Sequence, residues 1–241
     1  METKPKISVL AICRDESEFM RQFLEYTHSF ADEIILIDSG STDGTQEIVK
    51  EYQDKDWPIH FEYRDLANDF AAQRAFAKSL CKGEWIVMLD IDEKYTNSFV
   101  RMLPELMNGS CMAYSFGTLH LFKDDRHYGN NQDDPHVRMF RNDPNISFQK
   151  PIHEVLTLNG NVLSPHKYDA SATVRYLDNV KLLHYGPLKS RKSLEKKQSI
   201  WNEKGLTVLS NSVNCPMTDD YFVKFADYKG EVYPIPFEQY D

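Results

Sequence analysis

The sequence predicts an α/β protein whose central sheet is open and mostly parallel, flanked by helices, with a smaller β-rich half after it. Three observations carry that expectation. Short apolar runs (Ile7 to Ile12, Ile34 to Ile37, Trp85 to Leu89) alternate with segments of helical periodicity. The runs are apolar almost throughout, as strands covered on both faces are. Each ends in a polar cluster, and in open α/β sheets ligands bind outside the carboxyl ends of the strands.

Residues 7–12 read as the first strand. Asp15 with Glu18 three residues later has capping-box spacing, and Phe19, Phe23 and Leu24 recur at helical intervals to about His28. Ile34 to Ile37 is stopped by Asp38-Ser39-Gly40-Ser41, and helical spacing resumes over 42–52 with Ile48, Val49 and Tyr52 on one side. Residues 59–63 alternate as a strand. A helix over 68–80 carries Phe76, Ala77 and Leu80 inward and stops near Gly83, before the strand at Trp85. Past Asn108-Gly109 the rhythm changes. Segments 111–122, 136–141, 153–158 and 180–184 read as strands, and 124–135 as a polar loop. An amphipathic helix is expected over 190–204, with Leu194, Gln198 and Trp201 on one face. The expected division is 1–110, 111–205 and an aromatic-rich tail, 206–241.

The chain has 241 residues, of which 41% are hydrophobic and 12% aromatic, enough to bury a continuous core and to exclude disorder as a whole-chain description. Asp and Glu number 37 against 28 Lys and Arg, a formal net charge of −9, which argues against non-specific nucleic-acid binding. No apolar run is long enough to span a bilayer. Met1 to Pro5 lack the apolar stretch of a secretory signal, so a cytoplasmic protein is expected, with peripheral membrane contact left open. Cys13, Cys81, Cys111 and Cys215 match no zinc or redox spacing, and Cys13 and Cys81, in apolar surroundings, read as reduced core thiols.

Three clusters carry the chemistry: Arg14-Asp15-Glu16, Asp38 to Gly44, and Asp90-Ile91-Asp92-Glu93. If the sheet is parallel, all three meet on one edge. In extended backbone Asp90 and Asp92 point the same way while Ile91 packs, a hard oxygen pair suited to Mg²⁺ or Mn²⁺; a solvated turn would explain the same string. Asp38 to Gly44 combines turn residues with a helix start, and Asp38 stands at the strand tip, where a carboxylate can read a ribose or base edge. No G-x-G-x-x-G or G-x-x-x-x-G-K-[ST] motif occurs, which disfavours dinucleotide and P-loop binding.

The order K-I-S-V-L-A-I-C-R-D-E, D-E-I-I-L-I-D-S-G-S-T-D-G-T, F-A-A-Q-R-A-F-A and G-E-W-I-V-M-L-D-I-D-E resembles the family 2 glycosyltransferases of GT-A fold. Within them it is most similar to the bacterial subgroup that adds glucose-like sugars to lipopolysaccharide cores. The resemblance covers residues 6 to about 205. It implies a GT-A fold: a nucleotide-sugar half over 1–110 and an acceptor half over 111–205. It also implies a nucleotide-sugar donor (a UDP-hexose), a Mn²⁺ or Mg²⁺ cofactor, and an acceptor hydroxyl on a glycan, lipid-linked sugar or other molecule. Ala11, Glu16 and Asp38 would line the uridine pocket, Arg74 would approach the nucleotide, and Asp90 and Asp92 would be the metal-associated D-x-D. The family commonly has Asn where this chain has Asp15, so an amide hydrogen bond is not available there.

Pro151-Ile152-His153-Glu154 is similar to the family's H-E motif, making Glu154 the candidate base for an inverting transfer, with Asp133 and Asp134 as alternatives. His184 would complete the metal site. A departing nucleoside diphosphate gathers negative charge, which a cation and basic residues stabilise, and Lys189 and Lys192 are the candidates for phosphate contact. A surface ion pair for Glu154, a structural role for His184 and a solvated basic helix face for the lysines are the plainer explanations. A nucleotidyltransferase would open on a Gly-rich basic loop after the first strand, and Cys13-Arg14-Asp15-Glu16 is not one. A non-catalytic glycan-binding module of the same fold is the other rival.

Overall fold

The computed structural model of the chain describes residues 6–122, 127–129, 134–165, 173–190, 192, 193, 195, 196, 199 and 232–234. Its first half runs β1 (Ile7–Cys13), α1 (Ser17–His28), β2 (Glu33–Asp38), α2 (Thr45–Gln53), β3 (Ile59–Tyr63), α3 (Phe70–Leu80), β4 (Trp85–Met88), β5 (Glu93–Tyr95) and α4 (Ser98–Asn108). The second half runs β6 (Ala113–His120), β7 (His127–Gly129), β8 (Asp134–Arg141), β9 (Ile146–Gln149), β10 (Val155–Leu158), β11 (Asn161–Val162) and β12 (Val174–His184). A 3-10 turn at Gly186–Leu188 follows, and β13 (Val232–Pro234) pairs with β7.

The main sheet has eight strands in the order β3-β2-β1-β4-β8-β6-β12-β5. β3, β2, β1 and β4 are mutually parallel, as are β6 and β12. β8 lies antiparallel between β4 and β6, and β5 closes the far edge antiparallel to β12. The second half therefore extends the sheet begun by the first. β9, β10 and β11 form a separate antiparallel sheet.

Alternation along β4 shows why its sequence is apolar throughout. Trp85 and Val87 belong to a core with Met20 and Phe23 of α1, Val49 of α2 and Phe99 of α4. Ile86 and Met88 face the other side, among Ala71 and Ala77 of α3 and Phe148 and Leu156 of the small sheet. Several elements carry little local signal in the sequence, among them β5, which is short and polar, and α4, which contains Pro104. Phe99, Leu103 and Leu106 nevertheless recur at helical spacing and are buried. β9 was unread too; its apolar residues Ile146 and Phe148 alternate over just four residues.

The capping box expected at Asp15 and Glu18 does not form. α1 begins after Glu16 with no side-chain cap, and Asp15 adopts φ +55°. Its Oδ1 accepts a hydrogen bond from the Thr42 N–H at 2.8 Å, because the β1–α1 and β2–α2 loops are adjacent and compete for the carboxylate. α3 starts two residues later than expected and is capped by Asp69, which accepts from Ala72 N–H at 2.8 Å. Of the helix expected over 190–204, residues 192, 193, 195, 196 and 199 are helical, and the remainder lies outside the described residues. The described parts of the loop expected over 124–135 are strand instead, 127–129 forming β7 and 134–135 opening β8; the rest, including Asp133, lies outside the described residues, as does the tail apart from β13. Among the described residues no helix is long and apolar enough to cross a membrane.

Gly83, between α3 and β4, approaches β1 so closely that a Cβ would lie 2.6 Å from the Ser8 backbone nitrogen. That strand is central and cannot move aside. Gly83→Ala should lower stability by about 1–3 kcal/mol, the usual cost of overpacking, read as a lower urea midpoint; a midpoint equal to that of the parent would show that β1 yields.

Candidate active site

Cys13 pairs with Asp38 across β1 and β2, and Leu10 pairs with Met88 across β1 and β4, so the carboxyl ends of these strands share one edge. A cleft of about 640 Å³ opens there. The β1–α1 loop lines it with Arg14, Asp15, Glu16 and Ser17, the β2–α2 loop with Ser39, Thr42 and Asp43, and α3 with Arg74. Asp90 and Asp92 enter from the end of β4, His153 and Glu154 from the loop before β10, and His184, Lys189, Lys192 and Lys196 from the segment after β12.

Asp90 and Asp92 do not stay in extended backbone. β4 ends at Met88 and the chain turns over Ile91 and Asp92, with Glu93 N–H donating to Asp90 C=O at 3.0 Å. The turn sends the two carboxylates to different partners, which corrects the expected parallel pair. Asp90 accepts from Arg74 Nη2 at 2.7 Å and lies 3.4 Å from Arg138 Nη2. Burial opposes its ionisation, but Arg74 and Arg138 outweigh that and hold its carboxyl below the usual range. Arg138 also donates to Glu93 Oε1 at 2.6 Å, and burial pushes the Glu93 carboxyl up even so.

Arg74 Nε meets Glu154 Oε1 at 2.5 Å, so one guanidinium holds both carboxylates. Burial works against the Arg74 charge, while Asp90 and Glu154 raise its pKa. Phe70 N–H donates to Pro151 C=O at 2.8 Å, tying the Glu154 loop to the start of the helix that carries Arg74. His153 adopts φ +54°, a left-handed conformation that costs a non-glycine residue on the order of 1 kcal/mol. It turns the chain directly before Glu154.

Asp92 is buried, with Oδ2 2.7 Å from Lys189 Nζ and 3.7 Å from His184 Nε2. Lys189 also reaches Glu16 Oε2 at 2.7 Å. Burial disfavours its charge, but Asp92 and Glu16 raise its pKa. His184 ends β12 and is paired in register with His120 of β6 and Glu93 of β5. Its Nδ1 lies 2.7 Å from His120 Nδ1, a hydrogen bond between the rings that turns His184 Nε2 toward Asp92. Lys192 lines the cleft and is exposed.

Ala11 and Asp38 do not line the cleft, contrary to expectation. Ala11 is packed inside β1, and Asp38 is fully buried. The Asp38 carboxylate is taken up by Ser41 N–H and Oγ, Gly40 N–H and Gln46 Nε2. It builds the β2–α2 turn, on which Thr42 and Asp43 face the cleft. Asp134 begins β8.

Sequence reasoning missed Arg138 and His120, and placed Arg14 and Glu93 in the polar clusters without giving either a role. Arg138 had a signal, a cation inside the apolar run Val137 to Phe140. The register of β8 on β6 steps from Val137 to Met139, so Arg138 is the extra residue of a bulge that aims it at Asp90 and Glu93. His120 had none; only pairing of β6 with β12 brings it to His184.

Among the described residues no group of three or more His, Cys, Asp and Glu side chains is arranged to hold a metal. Asp92 and His184 form a two-donor set. At Gly186 a Cβ would lie 2.4 Å from His184 Nε2 and 3.1 Å from Asp92 Oδ2, so glycine here is what lets the imidazole take up its position beside Asp92. A carboxylate oxygen and an imidazole nitrogen suit Mn²⁺, with ligand oxygens completing the coordination. The residues present fit such an ion, with Asp90 held away from it by its arginines.

The fold is shared with solved structures. S. aureus TarS 1-349 in complex with UDP-GlcNAc aligns over 91% of this chain and 70% of its own, with a TM-score of 0.50 and 14% identity. GalNAc-T7 with UDP, GalNAc and Mn²⁺ aligns over 76% of this chain and 44% of its own, with a TM-score of 0.50 and 10% identity. These define the class of protein as GT-A-like, with a mostly parallel sheet and a small antiparallel one. Residues 8–163 match the family described as Glycosyl transferase family 2, and the chain belongs to that family. Curated relatives include lipopolysaccharide core biosynthesis glycosyltransferase LpsC of Rhizobium meliloti, 36% identical over 110 residues, 46% of this chain and 40% of LpsC. Glycosyltransferase SunS of Bacillus subtilis is 27% identical over 203 residues, 80% of this chain and 42% of SunS. The chain spans about two fifths of the length of these relatives.

Arg74→Met would strand two carboxylates. Asp90 keeps 36% of its side chain exposed, so solvent screens part of the loss; about 3 kcal/mol is expected at pH 7, the low end for breaking a buried pair. The Asp90 pKa is depressed in the folded parent, so its stabilisation is present above the unfolded value near 4 and fades as pH falls through the folded one. The gap between parent and variant should therefore narrow below about pH 4, measured by urea titrations at several pH values; a constant gap would mean that Arg74 acts through packing.

Proposed function

We propose that this protein is a metal-dependent glycosyltransferase that moves a sugar, a hexose, from a UDP-sugar to an acceptor hydroxyl with inversion. The observation that carries the reading is the convergence of Asp92, His184 and Lys189 in the same cleft as the Arg74-held Glu154. One side has donors for a cation and a lysine for phosphate, and the other has a carboxylate that can receive a proton. TarS was solved with UDP-GlcNAc and GalNAc-T7 with UDP and Mn²⁺, which supports a nucleotide-sugar donor and a divalent ion here as well.

Asp92 and His184 would hold the ion, which when bound neutralises the diphosphate leaving group. Lys189 and Lys192 would meet phosphate oxygens, and Arg14 and Glu16 line the same cleft. Glu154 would remove the proton from the attacking hydroxyl. Arg74 occupies its Oε1, which leaves Oε2 for the acceptor. Arg74 thereby sets the direction of the base, while Asp90 anchors Arg74. Transfer by a single in-line displacement needs no covalent enzyme intermediate. The name of LpsC, a lipopolysaccharide core biosynthesis glycosyltransferase, supports a glycan as the acceptor class, the particular acceptor being a matter for the variable loops.

UDP should raise the melting temperature more with Mn²⁺ than with EDTA, because the ion links protein to diphosphate; equal shifts would remove the metal from the reading. Glu154→Gln should lose about 100-fold or more in sugar transfer, the scale of general-base catalysis, while UDP binding by calorimetry is kept. An active Glu154→Gln variant would move the base to Asp133 or Asp134. Gly186→Ala should weaken Mn²⁺ retention in the UDP complex by pushing His184 aside; unchanged retention would exclude His184 as a ligand.

A further inference from the structure

Among the described residues, all six carboxylates that line the cleft have donors. Asp15 meets Thr42 N–H and Lys196, Glu16 and Asp92 meet Lys189, and Asp43 meets Ser17 N–H. Asp90 and Glu154 meet Arg74. The lining cations differ. Arg74, Lys189 and Lys196 are engaged, but among the described residues Arg14 and Lys192 have no acidic partner. The cleft is therefore prepared for an anion before it is prepared for a cation.

Lys189 is the reason. Its ammonium lies 2.7 Å from Asp92 Oδ2, on the carboxylate oxygen that faces His184 Nε2 at 3.7 Å. A divalent ion coordinated by Asp92 and His184 would need that oxygen, and would come within a few ångströms of a positive charge. Lys189 is also held by Glu16, so it does not swing away without cost. Its neighbours fasten the same segment: Ser190 N–H donates to Glu18 Oε1 at 2.9 Å and Ser193 Oγ to Glu18 Oε2 at 3.0 Å.

We infer that Lys189 is a stand-in cation at the Asp92–His184 pair, and that it makes metal binding conditional on a nucleoside diphosphate. The diphosphate first meets Arg14 and Lys192. It then offers Lys189 a competing set of anionic oxygens, and the ammonium leaves Asp92 as the divalent ion arrives. The ordering is a property of one side chain: nucleotide first, metal second. Lys189 is thus a positioning residue whose charge suppresses futile occupation of the site by metal alone. The inference rests on the reading of Asp92 and His184 as metal donors.

The test is Mn²⁺ binding followed by electron paramagnetic resonance, with and without UDP, in the parent and in Lys189→Gln, Lys189→Met and Lys189→Arg. The Gln variant keeps a hydrogen-bond donor between Asp92 and Glu16, which guards against loss of fold in the Met variant. Without UDP, the two neutral variants should bind Mn²⁺ about tenfold or more tightly than the parent, on the scale by which near neighbours tune metal affinity. Mn²⁺ alone should then raise their melting temperatures and not the parent's. Lys189→Arg should keep the requirement for UDP. Adding Asp92→Asn to Lys189→Gln should abolish the gained binding. Neutral variants that bind Mn²⁺ no better than the parent would overturn the stand-in role while leaving the functional reading intact. A parent protein that takes up no Mn²⁺ even with UDP would instead overturn the metal reading.

Discussion

Charge compensation inside one cleft is the constraint on which the rest of the site depends. Six carboxylates among the described residues, drawn from three strand ends and one later loop, would repel one another at an effective dielectric well below that of water. They are tolerable because Arg74, Arg138, Lys189 and Lys196 are interleaved among them. Each cation also decides an orientation. Arg74 and Arg138 turn Asp90 away from Asp92, Arg74 turns Glu154 into the cleft, and Lys189 occupies the corner between Asp92 and Glu16.

The scaffold supplies those cations from elements far apart in sequence. α3 delivers Arg74, a bulge in β8 delivers Arg138, and the segment after β12 delivers Lys189. The insertion of β8 between β4 and β6 is the decisive topological step. It joins the strands of the second half to the parallel strands of the first, while the pairing of β12 with β5, His184 opposite Glu93, places His184 beside the turn that carries Asp92. The His120–His184 contact depends on the pairing of β6 with β12, in which the two residues stand opposite one another in register.

Much of the fold was legible from local pattern. β1, β2, β4 and the helices between them follow from apolar runs and helical spacing, because both faces of those strands are covered. α4 escaped notice although Phe99, Leu103 and Leu106 were in phase, and β5 was too short and polar to register. At the site, Glu16, Arg74, Asp90, Asp92, Glu154, His184, Lys189 and Lys192 do come to one cleft. Ala11 and Asp38 do not: a residue at a strand tip can face a ligand or the turn beneath it, and period-two alternation does not choose between them. The capping box at Asp15 failed for a similar reason, as a neighbouring loop offered the carboxylate a better donor.

The amino-acid order by itself determined the class of fold, the polar clusters at the strand ends and the family to which the chain belongs, because all three are written in short-range pattern. Only the tertiary structure decided that Asp90 serves Arg74 and Arg138 while Asp92 serves Lys189, and that His120 stands behind His184. Strand ends that turn, a register that skips one residue and a sheet that joins its two halves are long-range facts. They set which charges become neighbours, and a carboxylate's behaviour follows from its neighbours more than from its place in a motif.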